Sequence, residues 1–154
     1  MYANVLLTHQ VIKSFKKRYE TSKKRSAITF TSAMAAVAPV PLAAVYSATK
    51  IFTDYIAWGL GYELARYRVD VSSWRAATVD IGNTTDKNIM VLSADNYVAQ
   101  AFGKMTSGVH SGYLPHELLH LFWTNVNDVF PISLCQKFFN KMALKHKNDF
   151  KKAN

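Results

Sequence analysis

Apolar side chains recur at helical spacing over residues 4–20, where Val5, Leu6, Val11, Ile12, Phe15 and Tyr19 form one stripe. The polar run Glu20–Ser26 ends that helix. Ala27-Ile-Thr-Phe-Thr31 is short, apolar and β-branched, the signature of a buried strand. A loop rich in alanine and proline follows from Ala33 to Pro41. Residues 45–67 are predicted to form the longest helix, with Gly59 and Gly61 its main breakers. Val69-Asp-Val-Ser-Ser-Trp74 alternates as a strand, and Asp80-Ile-Gly-Asn-Thr-Thr-Asp-Lys-Asn88 carries turn chemistry. Ser93 suits the cap of a helix running to about Met105, with Asp95 and Asn96 in its first turn.

The order helix, strand, helix, strand, helix is that of parallel βαβ units. Two strands alone leave bare edges and half-covered faces. The pattern therefore predicts an α/β chain that looks truncated at its start.

Composition narrows the class. The 154 residues are 49% hydrophobic, enough for a core. No run of about 18 apolar residues is present, so no transmembrane helix of ordinary length is expected. The N-terminal residues lack the pattern of a signal peptide. One cysteine, Cys135, excludes an internal disulfide or a cysteine-rich metal site. The net charge of +9 is concentrated in two places. Lys13, Lys16, Lys17, Arg18, Lys23, Lys24 and Arg25 face only Glu20 in the first cluster. Without a nucleic-acid motif around it, a solvated helix end is expected there and no nucleic-acid partner. Lysines 137, 141, 145, 147, 151 and 152 face only Asp149 in the second, which suits a surface drawn to anionic lipid. Between the clusters, residues 117–139 are rich in Leu, Phe, Trp and Ile. These pieces are too short to span a bilayer but long enough to lie in its interface, or to close over a substrate cleft.

The sharpest chemical feature is Tyr46-Ser-Ala-Thr-Lys50. A spacing of four puts a phenol and an ammonium on one helix face. Phenols titrate near ~10, and a neighbouring ammonium favours the phenolate, which moves such a group toward acid–base work. His116 and His120 share the same spacing, but no third ligand is near. A helix-surface or interface role is expected for them, and no metal. Phe52, Trp58 and Tyr62 follow helical spacing and are expected to pack.

Ile28-Thr-Phe-Thr-Ser32, a loop with Pro39-Val-Pro41, and Tyr46-Ser-Ala-Thr-Lys50 opening a helix together resemble the catalytic core of the short-chain dehydrogenase/reductase family. The resemblance implies a partial Rossmann-like, doubly wound parallel sheet that lacks its N-terminal strands and glycine-rich turn and ends in a helical, basic tail. It implies residues 1–110 as a partial catalytic domain and 111–154 as a substrate-cap or membrane-associated segment. By the family's pattern Tyr46 is the proton donor and Lys50 its modulator and ribose ligand. Ser32 is the carbonyl orienter, Asn4 the relay, and Val79 lies in the stretch that meets the nicotinamide. Pro39-Val-Pro-Leu42 and Ser111-Gly-Tyr-Leu-Pro-His116 are similar to the 17β-hydroxysteroid dehydrogenase and very-long-chain 3-oxoacyl-CoA reductase group. That group implies NADPH as cofactor, an acyl-CoA or steroid ketone as substrate, and lipid metabolism at the endoplasmic reticulum membrane. The Lys151-Lys152 pair looks like a retrieval signal for that compartment. The family's dimer pairs the helices that fall here at 4–20 and 45–67.

Three positions depart from the pattern. No Gly-x-x-x-Gly-x-Gly occurs among the six glycines. Ala33 stands thirteen residues before Tyr46, where the family has its serine, and Ser32 is one off. The later Pro-Gly-x-Val stretch reads Ala76-Ala-Thr-Val79. Reduction is thus expected to need a glycine-rich half in addition. The competing expectation is a non-catalytic paralogue that serves as a dimerisation or membrane partner.

Overall fold

A computed structural model describes residues 2–38, 40, 42–82, 89–104 and 107–131, with 133, 134, 137, 140 and 141 beyond them. Pro39, Pro41, residues 83–88 of the expected turn, Met105, Cys135 and the Lys151-Lys152 pair lie outside the described residues. The elements run α1 (Tyr2–Ser22), β1 (Ser26–Ala33), α2 (Ala44–Leu64), β2 (Val69–Ala76), β3 (Val79–Asp80), β4 (Leu92–Ser93), α3 (Ala94–Gly103), β5 (Gly108–His110) and α4 (Leu114–Val129). Single 3₁₀ turns at Met34–Ala36 and Ala65–Tyr67 follow β1 and α2.

β1, β2 and β5 form a parallel sheet in that order. Helices cover both of its faces, so the fold is the small, partial Rossmann-like α/β architecture that the element order implies. Side chains alternate across a strand. On one side Ile28 and Phe30 of β1 and Val69 and Val71 of β2 meet Ala57 and Leu64 of α2, with Ile12 and Phe15 of α1 packed against them. On the other side Trp74 meets Tyr97 and Ala101 of α3. That alternation is why one strand serves two layers.

The helix ends have local causes. Lys23 takes a left-handed backbone (φ 54) and its N–H caps Tyr19 O, which stops α1. Arg68 does the same after the second 3₁₀ turn and feeds β2. Ser93 is the residue before α3, as expected, yet its hydroxyl makes no cap bond. Gly112 has φ 71, and a Cβ there would lie 2.8 Å from Ala101 Cβ. Only glycine lets the turn before α4 pass so close to α3.

Several expectations are corrected. A third strand, β5, joins β2, although three residues with a glycine carry almost no strand pattern. Tyr62 is 86% exposed rather than packed, and Trp58 lies at the surface, stacked on Tyr55 and not in the core. His116, expected at a helix surface or interface, is 0% exposed.

Candidate active site at the start of α2

Residues at the C-terminal end of a parallel strand and the start of the next helix sit at the mouth of an α/β sheet. β1 ends there at Ala33, and Tyr46 and Lys50 rise from the first turns of α2. The loop between is pinned to the helix. Val40 N–H donates to Ser47 Oγ at 3.2 Å, and Ser47 N–H donates to Ala43 O at 2.9 Å. Leu42 holds a left-handed backbone, φ 65, just before the helix begins. A strained non-glycine residue beside a functional loop is a common arrangement.

Lys50 Nζ donates to Thr31 O at 3.0 Å and lies 5.4 Å from the centre of the Tyr46 ring. The strand end thus fixes the ammonium, and the ammonium sits over the phenol. Tyr46 itself is 50% exposed, so its hydroxyl can reach a bound molecule.

Ser32 and Ala33 are placed by an unbroken register. β1 pairs with β2 residue for residue from Ser26↔Val69 to Ala33↔Ala76, without a bulge. Ser32 therefore shares the face of Phe30, toward α2, where it is buried and its hydroxyl donates to Lys50 O at 3.2 Å. Asn4 lies in the first turns of α1, half-buried, and among the described residues no hydrogen bond joins it to Tyr46, Lys50 or Ser32. Val79 is half-buried in β3, where it pairs with Leu92 and packs against the Trp74 cluster. The structure thus brings together Tyr46, Lys50 and the backbone beside Ser32.

One turn further along α2 the chemistry changes. Asp54 is 0% exposed. It accepts from Ser73 Oγ at 2.7 Å and from Arg75 Nε at 2.7 Å, both on β2. Arg75 Nη1 donates in turn to His120 Nε2 of α4. His120 then carries its proton on Nδ1, which faces Glu117 Oε1 at 3.7 Å. Glu117 Oε2 accepts from Ser111 N–H at 2.6 Å. His116 accepts from Ala77 N–H at 3.3 Å and donates from Nε2 to Met90 O at 2.8 Å. Burial lowers the pKa of both histidines, and for His120 the Arg75 guanidinium adds to the effect. Tyr97, which donates to Ser111 O at 2.8 Å, is pushed up to about 12, chiefly by burial.

This network escaped the reading of the sequence. The strand expected at Val69–Trp74 runs on to Ala76, and that extension brings Arg75 into the sheet. Among the described residues no group of three His, Cys, Asp or Glu side chains is placed to hold a metal ion.

Residues 1–91 match the short chain dehydrogenase family, more than half of the chain. The chain belongs to that family. Two solved structures share its fold. A DEH reductase A1-R′ mutant superposes with a TM-score of 0.55 at 19% identity, over 68% of this chain and 47% of that one. A protein from Novosphingobium aromaticivorans, described as a short-chain dehydrogenase, gives 0.54 at 14% identity, over 92% and 54%. The chain therefore spans about half the length of the solved structures it matches. Identities this low speak for the fold alone. No curated protein matches the chain in sequence.

Proposed function

We propose that this chain is the catalytic-side half of a ketone reductase that uses NADPH, acting on a 3-oxoacyl-CoA or 17-ketosteroid. The observation that carries the reading is the exposed Tyr46 phenol beside Lys50, whose ammonium is held by the Thr31 carbonyl two residues before the end of β1. Tyr46 and Lys50 fit the ribose and nicotinamide end of a dinucleotide, which when bound supplies a hydride. Tyr46 gives its proton to the ketone oxygen as charge builds there, and the Lys50 ammonium offsets the negative charge left on the phenol. Asn4 is the proposed relay that returns the proton, and Val79 the proposed contact for the carboxamide. The half reading is supported by the edge of β1, which pairs with no other strand among the described residues on its outer side.

In the same reading residues 1–110 form the partial catalytic domain and 111–154 the cap or membrane segment. A homodimer through α1 and α2 is supported by Tyr55, Trp58 and Tyr62, all exposed on α2. Residence at the endoplasmic reticulum membrane is supported by the lysine-rich tail and Lys151-Lys152.

A second reading, a non-catalytic partner, is favoured by Ala33 and by the commitment of the Ser32 hydroxyl to Lys50 O. One experiment separates the two. The chain is co-expressed with a glycine-rich half from a family member, and NADPH oxidation is followed with each ketone. Turnover that Tyr46→Phe removes supports the reductase. Equal rates with and without the chain support the partner.

A further inference from the structure

An ordinary surface helix buries its apolar side and shows charge to water. α4 departs from this: its inner side mixes His116 and His120 with half-buried Leu119, Trp123 and Val126, and its outer side, apart from the exposed Asn125, carries a row of large apolar side chains. At about 100° per residue, His116 and His120 lie on one side and Leu114, Leu118, Leu121 and Val129 on the other. The histidine side faces inward, because His116, Glu117 and His120 are held by Met90 O, Ser111 N and Arg75. Leu114, Leu118 and Leu121 cannot turn in without tearing that network apart. They face outward with Phe122 and Val129, and these five side chains are between 51% and 74% exposed. Of the sixteen residues of α4 only Glu117 and Asp128 are charged, so the helix itself gives the outward stripe no basic rim.

The chain beyond α4 is basic. Lys137 and Lys141 are exposed, and Lys145, Lys147, Lys151 and Lys152 come after them with Asp149 the single acid. We infer that the outer face of α4 docks on an anionic lipid surface, with Leu118, Leu121 and Phe122 in the acyl boundary and Lys137 and Lys141 on the headgroups. A second copy of the chain would cover the leucines equally well, but it brings the same positive charge and gives these lysines no partner. An anionic bilayer supplies both an apolar layer and negative headgroups. The inference deepens the membrane part of the proposed function and rests on it, not on the chemistry at Tyr46.

The test is co-sedimentation of the full chain with vesicles of phosphatidylcholine, alone or containing phosphatidylserine, without cofactor or ketone. Binding to the phosphatidylserine vesicles, weakened by salt, is expected. Leu118→Glu with Leu121→Glu, at two exposed positions, is expected to lower it at least ~tenfold with the circular dichroism unchanged. Lys137→Gln with Lys141→Gln is expected to lower it by about thirtyfold. Should the glutamate pair fail to fold, Phe122→Trp reports instead: brominated acyl chains quench an added component of its fluorescence, over that of the parent's Trp58, Trp74 and Trp123, if the stripe enters the bilayer. A glutamate pair that folds and sediments like the parent, or a Phe122→Trp chain quenched no more than the parent, overturns the inference. So does a parent chain that ignores vesicles and instead dimerises through this stripe. Reduction measured separately on the same variants reports on Tyr46 and leaves this outcome untouched.

Discussion

Tyr46, Lys50 and Asp54 stand four apart on one face of α2, yet the two ends of that stripe obey different rules. At Tyr46 the helix emerges from the sheet mouth, and half the ring is in water. At Asp54 the same face lies under β2 with no exposure, and both carboxylate oxygens are taken by Ser73 and Arg75. An exposed phenol gains little from the fold and is free to act on a ligand. A buried carboxylate is costly to leave unpaired, so its partners are specified one by one. Lys50 sits at the boundary, its ammonium outside and its carbonyl held by Ser32. An exposed phenol and a buried, fully partnered carboxylate thus stand on one helix within three turns.

The hardest way to break that contrast is at the wet end. Tyr46→Phe is expected to lower ketone reduction by about 10²–10⁴-fold in a chain completed by a glycine-rich half, since a positioned general acid contributes that much. The midpoint of urea unfolding should hardly move, because the lost hydroxyl is at the surface. A fall in unfolding midpoint as large as the fall in rate would mean that the phenol is structural.

At the dry end the expected pattern is the opposite. Asp54→Ala leaves Arg75 charged and buried without its carboxylate, a change that typically costs about 3–5 kcal/mol. Asp54→Leu combined with Arg75→Met removes both charges and should recover at least half of that loss. Urea unfolding of the two variants measures both. Equal destabilisation in the single and the double would show that Ser73 and His120, not the ion pair, hold the region.

The histidines give the network a pH dependence. Both have pKa values lowered below the ordinary 6.5, chiefly by burial. In the unfolded chain they take up protons as pH falls through 6.5, while in the folded chain they resist. Stability is therefore full above that value and declines as pH drops through it toward the folded pKa values. Around His120 the facing charges are Arg75, Asp54 and Glu117, and a proton on Nε2 removes the lone pair that accepts from Arg75. Thermal unfolding between pH 7.5 and about 5 should show the decline, with a shallower slope in His120→Gln. A slope identical in parent and variant would place the effect at His116 instead.

β1, α2 and β2 were legible because periodicity and the residues flanking it agree there. That Tyr46 and Lys50 lie together on one helix face was legible because a spacing of four fixes it. Asp54 and Arg75 were not, since 21 positions separate them and each alone reads as a surface charge. α4 misled for the same reason. Its histidines were expected at a helix surface or interface, and their partners Ala77, Met90 and Arg75, supplied by other elements, draw them inside.

The smallest effects concern the boundary itself, at Ser32 and Ala33. The unbroken register puts consecutive β1 residues on opposite faces, so Ala33 and not Ser32 shares the side away from α2. Ala33→Ser places a hydroxyl at the thirteen-residue spacing from Tyr46. It is expected to raise kcat at least ~tenfold in a completed chain, a fraction of the 10²–10³ that an oxyanion donor can contribute. Ser32→Ala should act on the fold instead. Its hydroxyl is buried and bonds Lys50 O, and losing a neutral hydrogen bond of that kind costs about 1 kcal/mol. Because the carbonyl it caps belongs to the helix that carries Lys50, the loss loosens the strand–helix contact without removing any group that meets a ketone. The unfolding midpoint should fall slightly while KM for the ketone stays put. If Ser32→Ala instead abolishes turnover and Ala33→Ser gains nothing, then Ser32 leaves Lys50 O to meet the substrate, and the boundary between chemistry and cohesion lies one residue earlier than β1 pairing places it.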